Sequence, residues 1–130
     1  MSGSLFPIKT VQSMQSSAVV VMARVLGENR LPVTIAGVQA VTIKVADMAT
    51  LAETYSATPT VSTVFFNSLQ TDDRWREDSE GYNFRATIPH TAFPVGDRSY
   101  RIEADITLAT GARGLCPWQV RAEPRKTAAS

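Results

Sequence analysis

The feature that most constrains this chain is the stretch YNFRATIPHTAFPVGDRSYRIEADITLATG, which runs from Tyr82 to Gly111. Apolar and polar residues alternate in it twice, once on each side of a corner that contains prolines and a glycine. A period of two residues is typical of a β-strand with one buried face and one solvated face. Two such strands in succession predict an antiparallel pair. The residues predicted to face inward are Tyr82, Phe84, Ala86 and Ile88 in the first strand and Tyr100, Ile102, Ala104, Ile106 and Leu108 in the second.

Strand signals recur along the rest of the chain. Residues 17–26 (SAVVVMARVL) are apolar on both faces, which predicts a strand covered on both sides or an edge that receives a partner. Residues 38–46 alternate well, residues 61–69 (VSTVFFNSL) predict a strong strand, and Trp118 opens a last strand. Residues 47–57 fit a helical turn, but their threonines and tyrosine favour extended chain. About seven strands with turn signals between them predict an antiparallel β-sandwich, with a closed barrel as the alternative.

The length of 130 residues predicts one domain with a polar segment at each end. Residues 1–16 form a predicted, mostly polar N-terminal arm, in which Phe6, Pro7 and Ile8 form an apolar group. This arm is either a frayed terminus or a segment that becomes ordered on a neighbour. Residues 17–123 form the predicted sandwich and residues 124–130 a flexible tail.

The corner of the opening stretch, FPVGDRSYRI, places a turn before Tyr100 at the start of a strand. Immunoglobulin-like sandwiches often have a tyrosine at such a corner, whose hydroxyl bonds back to the backbone upstream. In antibody domains a cysteine follows two residues later, whereas this chain has Ile102. Aliphatic packing in place of the disulfide is expected in a reducing compartment. The prediction is therefore an Ig-like antiparallel β-sandwich of about seven strands with an extended N-terminal arm, and not an antibody domain.

The charge balance and the apolar runs argue against two classes of partner. The chain has 13 Lys and Arg against 12 Asp and Glu, a net charge of +1, which favours neither nucleic acid nor an anionic membrane. The longest apolar run, residues 18–23, is far shorter than the ~20 residues of a membrane-spanning helix. The N-terminus lacks the pattern of a secretion signal, which predicts a protein made in the cytoplasm.

Residues with catalytic or metal-binding chemistry are few. His90 stands beside a proline at a strand end, and no serine elbow or cysteine partner is readable near it, which predicts a surface turn residue. Cys116 is the only cysteine and is predicted to be a small, inert apolar residue. One His and one Cys do not supply a zinc site. The acidic run within residues 72–80 lacks the spacing of a calcium loop and contains Arg74 and Arg76. We therefore predict no enzyme, no cofactor, no metal and a solvated acidic loop with internal ion pairs.

The two tryptophans predict different roles. Trp118 alternates in phase with Val120, which predicts a core position. Trp75 lies in a charged loop, where an isolated large aromatic residue marks either a contact surface or a lid over the end of the sandwich.

The stretch NSLQTDDRWREDSEGYNFRATIPHTAFPVGDRSYRIEADI resembles small β-proteins encoded among the structural genes of tailed bacteriophages. In those proteins a strand leads to LQTDxRW and then to GYNFRxxxPxxAFPxGxRxYRxE. The layout is also similar to that of the Ig-like domain of phage upper-baseplate proteins. The resemblance covers roughly residues 38–121, and its motifs are turns and aromatic residues rather than catalytic ones. It implies a virion component: a capsid decoration, a head–tail joining protein, or a tail or baseplate protein.

Together these observations predict a non-enzymatic structural protein of a tailed-phage virion that binds other virion proteins or copies of itself. Phe6, Ile8 and Trp75 are the predicted contact residues. The alternative is a carbohydrate- or surface-binding β-sandwich module, which requires exposed aromatic side chains in a row. An enzyme that depends on His90 is the third hypothesis.

Overall fold

The computed structural model describes residues 8–11, 18–27, 29–72, 75, 77–95 and 98–122. Within these ranges, eight strands form two four-stranded antiparallel sheets. The strands are β1 (Ile8–Val11), β2 (Ala18–Arg24), β3 (Val38–Asp47), β4 (Glu53–Ala57), β5 (Phe65–Gln70), β6 (Tyr82–Pro89), β7 (Arg98–Leu108) and β8 (Arg113–Ala122). The first sheet has the order β1-β2-β6-β5 and the second the order β4-β3-β7-β8. The predicted all-β antiparallel sandwich is confirmed.

One hydrophobic core lies between the sheets and takes alternate residues from strands of both. Its members include Val19 and Val21 of β2, Val41, Ile43 and Val45 of β3, Phe84, Ala86 and Ile88 of β6, Tyr100, Ile102, Ala104 and Ile106 of β7, and Cys116, Trp118 and Val120 of β8. Trp118 stacks on Phe84 across the core with ring centroids 5.9 Å apart, and its indole N–H donates to the Met22 carbonyl at 3.3 Å. The core position predicted for Trp118 is therefore confirmed.

The prediction that the two strands of the opening stretch pair with each other is wrong. β6 pairs with β2 and β5 in the first sheet, whereas β7 pairs with β3 and β8 in the second. The connection between them crosses from one sheet to the other, and Ala92 and Phe93 within it are buried. Each strand presents its apolar face to the same core from opposite sides. The same alternating sequence is expected whether β6 and β7 pair in one sheet or face each other from two sheets, so alternation does not distinguish the two arrangements.

Tyr82 also departs from its predicted face. It belongs to a second apolar cluster with Met22 and Trp75 on the outer side of the first sheet. The next residue, Asn83, is fully buried, and its side-chain amide donates to the carbonyls of Val25 and Val33 at 3.0 Å each. The pairing of β5 with β6 is irregular between the partners of Phe84 and Tyr82, so the alternation of faces does not extend to the start of β6.

The corner tyrosine makes the hydrogen bonds expected of it. The Tyr100 hydroxyl donates to the carbonyl of Val95 and accepts from its backbone N–H, both at 2.9 Å. Phe93 packs edge to face against the Tyr100 ring, with centroids 5.2 Å apart. The connection between the two sheets is thereby fixed to β7.

Three further segments show how the predicted boundaries compare with the structure. β2 is paired along both edges and covered on both faces, which is the first of the two interpretations of residues 17–26. Residues 47–52 form a turn followed by β4, so the helical alternative there is wrong, and the predicted strand 61–69 begins as one helical turn, α1 (Val61–Val64). Within the predicted arm, Ile8–Val11 form β1, which pairs with β2. The rest of the arm and residues 123–130 lie outside the described residues.

Candidate contact surfaces

The three predicted contact residues have different positions. Phe6 lies outside the described residues. Ile8 opens β1 opposite Arg24. Trp75 is only 6% exposed. Ile8 and Trp75 lie toward the same end of the first sheet, because Arg24 bonds Asp78 and Asp78 accepts from the Trp75 indole. As contacts with a partner, these residues remain predictions.

Trp75 covers the outer face of the first sheet. It packs on Met22 and Tyr82, both fully buried, with its ring centroid 5.7 Å from that of Tyr82. Phe66 of β5 extends this cluster, edge to face with Tyr82 at 5.9 Å. Of the two interpretations of Trp75, the structure agrees with the lid, because the side chain is buried against the sheet. It covers a face of the sheet, however, and not the end of the sandwich. We call the described residues 71–72, 75 and 77–81 the Trp75 segment.

The carboxylate of Asp78 holds the Trp75 segment in place. Its Oδ1 accepts from the indole Nε1 of Trp75 at 3.0 Å and from the backbone N–H groups of Glu80 at 2.9 Å and Gly81 at 3.2 Å. Its Oδ2 pairs with Nη1 of Arg24 at 2.6 Å. The hydrogen bond from Trp75, followed by that from Arg24, holds the pKa of Asp78 far below its ordinary value, against the opposing effect of burial.

Tyr82 makes the second polar anchor of this segment. Its hydroxyl donates to Oδ2 of Asp72 at 2.6 Å and accepts from Nη1 of Arg85 at 3.2 Å. Burial, together with the neighbouring Asp72 carboxylate, raises the pKa of Tyr82. Arg85 also lies over the Phe66 ring, 5.2 Å from its centroid. Asp72 and Asp78 thus serve contacts with the sheet below, including an ion pair with Arg24 of β2.

The turn between β3 and β4, residues 47–52, is built on a buried carboxylate. We call these residues the hairpin turn. Oδ1 of Asp47 accepts from the backbone N–H of Ala49 at 2.8 Å and of Thr50 at 3.4 Å, and Oδ2 accepts from Nη1 of Arg98 at 2.8 Å. The Arg98 hydrogen bond and then the two backbone N–H groups lower the pKa of Asp47, although its burial opposes them. The Leu51 N–H donates to the Asp47 carbonyl at 2.7 Å, which closes the turn.

Leu51 projects from the hairpin turn into solvent. Its side chain is 81% exposed, and its backbone is left-handed with φ +63°. Met48, in the same turn, is also exposed, and its N–H donates to the Ser99 carbonyl at 3.0 Å. Sequence reasoning missed both residues. The available signal was a leucine among small and polar residues between two strands, after an aspartate that can accept from the following N–H groups.

An open pocket of about 430 Å³ lies at the end of the sandwich opposite the hairpin turn. The loop between β2 and β3 and the turn between β7 and β8 form it, joined by a hydrogen bond from the Ala109 N–H to the Gly37 carbonyl at 2.9 Å. We call it the end pocket. Its lining residues are Gly27, Asn29, Leu31, Pro32, Val33, Thr34, Gly37, Leu108 and Thr110. Leu31 is exposed at its rim, and the neighbouring Arg30 is exposed with φ +65°. Sequence reasoning did not predict this pocket.

The outer face of the second sheet is open to solvent and polar. Arg101 pairs with Glu103 along β7, and Arg113 of β8 pairs with Asp105 of β7 at 2.9 Å. Leu115 lies opposite Asp105 and is 47% exposed. These pairs are mostly solvated, and such pairs contribute little to stability.

The residues considered for chemistry lie in different surroundings. His90 is exposed in a short helical turn after β6, whereas Cys116 is buried in the core. Across the described ranges, no three His, Cys, Asp or Glu side chains are grouped so that they could hold a metal ion. No helix in the described residues has the length and hydrophobicity to cross a membrane.

Comparison with known proteins found no matching family model, no matching curated protein and no matching solved structure.

Proposed function

We propose that this protein is a non-enzymatic structural component of a tailed-phage virion, a capsid decoration, head–tail joining, tail or baseplate protein, and that it acts through protein–protein contacts made at the hairpin turn. The observation that carries the proposal is Leu51, a large apolar side chain held in solvent on a strained backbone. The resemblance of residues 38–121 to phage structural proteins supplies the class of partner.

The backbone of Leu51 is in an unfavourable conformation, and its side chain gains no burial free energy in the isolated protein. A left-handed backbone costs a residue with a Cβ roughly 1–2 kcal/mol. A leucine left in water also forgoes roughly 1.5–3 kcal/mol of burial free energy. Glycine at this position would avoid the backbone cost. Strained residues held by well-bonded surroundings cluster at functional sites. A partner that buries Leu51 recovers the burial free energy, and the turn bonded to Asp47 presents the side chain without further ordering.

We also propose that the sandwich is immunoglobulin-like. The order β1-β2-β6-β5 corresponds to strands A-B-E-D of that fold, and β4-β3-β7-β8 to C′-C-F-G. The bond from the Tyr100 hydroxyl to the Val95 backbone supports the same assignment. This topology leaves the turns at both ends of the sandwich available for contacts.

The proposal is tested on particles assembled with a tagged form of this chain. Mass spectrometry and electron microscopy of purified particles should find the wild-type chain in many copies. The Leu51→Asp variant should be depleted at least about tenfold, which corresponds to a loss of about 1.4 kcal/mol of contact free energy. Leu115→Asp is the matched control, because Leu115 is an exposed leucine on the open face. Absence of the wild-type chain from the particles would overturn the proposal.

The carbohydrate-binding alternative remains a separate prediction. Trp75, Tyr82 and Trp118 are each at least about nine-tenths buried, and the Trp75 indole N–H is already bonded to Asp78. A sugar-stacking platform made of them would need the Trp75 segment to be displaced. Saturable binding on a glycan array that Trp75→Ala abolishes would favour this alternative over the structural one.

A further inference from the structure

We propose that the Trp75 segment is a detachable cover, which leaves the outer face of the first sheet as one unit while the rest of the sandwich stays folded. This property is separate from the virion role proposed above. Three features of the fold point to it: the way the segment is attached, the position of its two ends, and the separation of its apolar contacts from the main core.

The Trp75 segment is attached to the first sheet through side chains. The contacts are the packing of the Trp75 ring on Met22 and Tyr82, the hydrogen bond from the Tyr82 hydroxyl to Asp72, and the bonds from Arg24 to Asp78 and to the Gly81 carbonyl. The backbone N–H groups of Trp75, Glu80 and Gly81 donate within the segment, to the Asp72 carbonyl and the Asp78 carboxylate. Detachment therefore leaves these backbone hydrogen bonds intact.

The hairpin turn is attached differently. The Met48 N–H donates to the Ser99 carbonyl of β7 at 3.0 Å, and the Asp47 N–H donates to the Ala52 carbonyl at 2.9 Å. Movement of the hairpin turn would break this backbone bonding at the end of β3. Local opening requires the least free energy where few contacts hold a segment to the rest of the fold, which favours the Trp75 segment.

Both ends of the Trp75 segment lie at one point of the first sheet. Gln70, the last residue of β5, and Tyr82, the first residue of β6, are Cα partners. Gly81 has φ +105°, and a Cβ there would lie 2.2 Å from the Gln70 carbonyl oxygen, so this close approach requires glycine. The pair closes the segment at its base, and the segment can swing outward without a change in strand register.

The apolar contacts of the segment are separate from the main core. Met22, Trp75 and Tyr82 form one cluster, and none of the three belongs to the cluster between the sheets. β2 contributes to both clusters through opposite faces, with Val19 and Val21 toward the core and Met22 outward. Loss of the outer cluster leaves the core contacts in place, so the sandwich keeps the burial free energy that holds its sheets together.

Detachment returns both charges of the Arg24–Asp78 pair to water. The Arg24 side chain is 7% exposed and that of Asp78 is 27% exposed. Desolvation offsets much of the attraction within a buried pair, and separation of the intact pair recovers that hydration. Replacement of Arg24 alone is different, because it leaves the carboxylate without its cation. The packing of the Trp75 ring is therefore the contact that most opposes detachment.

The two tryptophans of the chain provide a matched pair of probes. The indole N–H of Trp75 donates to Asp78 at 3.0 Å in the cover, and that of Trp118 donates to the Met22 carbonyl at 3.3 Å in the core. Both rings are buried, at 6% and 4% exposure. Because they carry the same chemical group, a difference in hydrogen exchange between them reports a difference in the free energy of opening.

Hydrogen exchange of the wild-type chain, followed by NMR at urea concentrations below the unfolding transition, tests the proposal. The Trp75 indole should exchange at least roughly a hundredfold faster than the Trp118 indole, because it requires only detachment. Its exchange should respond weakly to urea, since detachment exposes little surface, whereas that of Trp118 should respond strongly. The amides of Glu80 and Gly81 should give the same opening free energy as the Trp75 indole.

Two results would overturn the proposal. A common rate and a common urea dependence for the two indoles would show that the segment leaves the sheet only when the whole chain unfolds. Different opening free energies for the Trp75 indole and the two amides would show that the segment does not move as one unit. This experiment needs no substitution, so a variant that fails to fold does not affect it.

Trp75→Ala should populate the detached state without denaturant. The variant should bind more of the dye ANS than the wild type, because the apolar side chains beneath Trp75 become accessible, while its urea unfolding stays cooperative. Leu115→Ala on the open face is the control and should bind no more dye than the wild type. A folded Trp75→Ala chain that binds no additional dye, or that loses its cooperative transition, would contradict the detachable cover.

Trp75→Phe takes the place of Trp75→Ala if the latter does not fold. Its weaker packing should speed the exchange of the Glu80 and Gly81 amides and of the Trp118 indole by similar factors. The two amides should therefore stay about as far ahead of the Trp118 indole as in the wild type. Equal opening free energies for the amides and for Trp118 in this variant would refute the proposal.

Discussion

The outer face of the first sheet is covered by a loop segment, whereas the outer face of the second sheet is exposed to solvent. On the first sheet, the Trp75 segment covers Met22 and Tyr82, and Asp78 binds Arg24 beneath this cover. On the second sheet, the outer face is open, and its charged side chains pair with each other in solvent. β2 has valine and methionine on its outer face, which need a cover, whereas β7 has charged residues and threonine there, which do not. The composition of a strand's second face therefore decides whether a loop must fold back over it.

The two faces also place the same kind of ion pair in different surroundings. The Arg24 side chain is 7% exposed and that of Arg113 is 67% exposed. A buried charge that loses its partner is strongly destabilising, because desolvation is no longer offset. An exposed pair contributes roughly 0–1 kcal/mol. The Arg24–Asp78 pair therefore ties the Trp75 segment to the sheet, whereas the Arg113–Asp105 pair contributes little to stability.

Removal of the Trp75 ring that covers the first sheet should give the largest difference in stability loss between the two faces. Trp75→Ala is expected to lower the free energy of unfolding by about 3 kcal/mol, because it exposes Met22 and Tyr82 and removes a large buried ring. Leu115→Ala on the open face should change it by less than about 0.5 kcal/mol. Urea denaturation followed by far-UV circular dichroism measures both. Equal effects would show that the cover contributes nothing beyond an ordinary surface residue.

Replacement of Arg24 or of Arg113 by methionine should give the next largest difference in stability loss between the two faces. Arg24→Met leaves the Asp78 carboxylate without its cation and removes the bond to the Gly81 carbonyl, so stability should fall by at least about 1 kcal/mol. Arg113→Met should cost less than about 0.5 kcal/mol. Salt sharpens the comparison, since screening should weaken the exposed pair more than the buried one. A smaller loss for Arg24→Met than for Arg113→Met would contradict this assignment of the two pairs.

The pH dependence of stability should give the smallest but most specific effect. The Trp75 indole and then Arg24 lower the pKa of Asp78 in the folded chain, so its stabilisation is complete above the ordinary carboxyl pKa of about 3.9. That stabilisation is lost as the pH falls below this value toward the lower folded-state pKa. The difference in urea midpoint between the wild type and Asp78→Asn should therefore be constant near neutral pH and shrink in acid.

Trp75→Phe is the matched variant for this titration, because it keeps an aromatic ring but removes the indole donor to Asp78 together with part of the ring packing. Its acid loss of stability should be intermediate between those of the wild type and Asp78→Asn. Part of the acid sensitivity should survive in both variants, since Arg98 and the turn backbone also lower the pKa of Asp47. Parallel pH curves for all three proteins would exclude a role for Asp78 in the acid response.

Sequence reasoning predicted the features that depend on near neighbours. The core position of Trp118 and the hydrogen bond of Tyr100 to upstream backbone followed from alternation and from the corner FPVGDRSY. For residues 17–26 the sequence left two alternatives open, and the structure shows the strand covered on both faces. The exposure of Leu51 was missed, because its left-handed backbone occurs in a turn closed by hydrogen bonds to Asp47 and not at a residue type that favours such a backbone. The phage assignment and the contacts of Phe6 and Ile8 remain predictions.

The sequence by itself determined that this chain is built from β-strands and which residues of most strands face the core, since side-chain direction in a strand depends only on a period of two residues. Only the tertiary structure decided that β6 and β7 lie in opposite sheets, that Trp75 covers the first sheet, and that Leu51 and the end pocket lie at opposite ends of β3. These features depend on contacts between residues far apart in the chain, such as Arg24 with Asp78, which are 54 positions apart. Local alternation holds no information about such distant partners. The residues that cover β2 are determined by the free energy gained when both of its faces are buried.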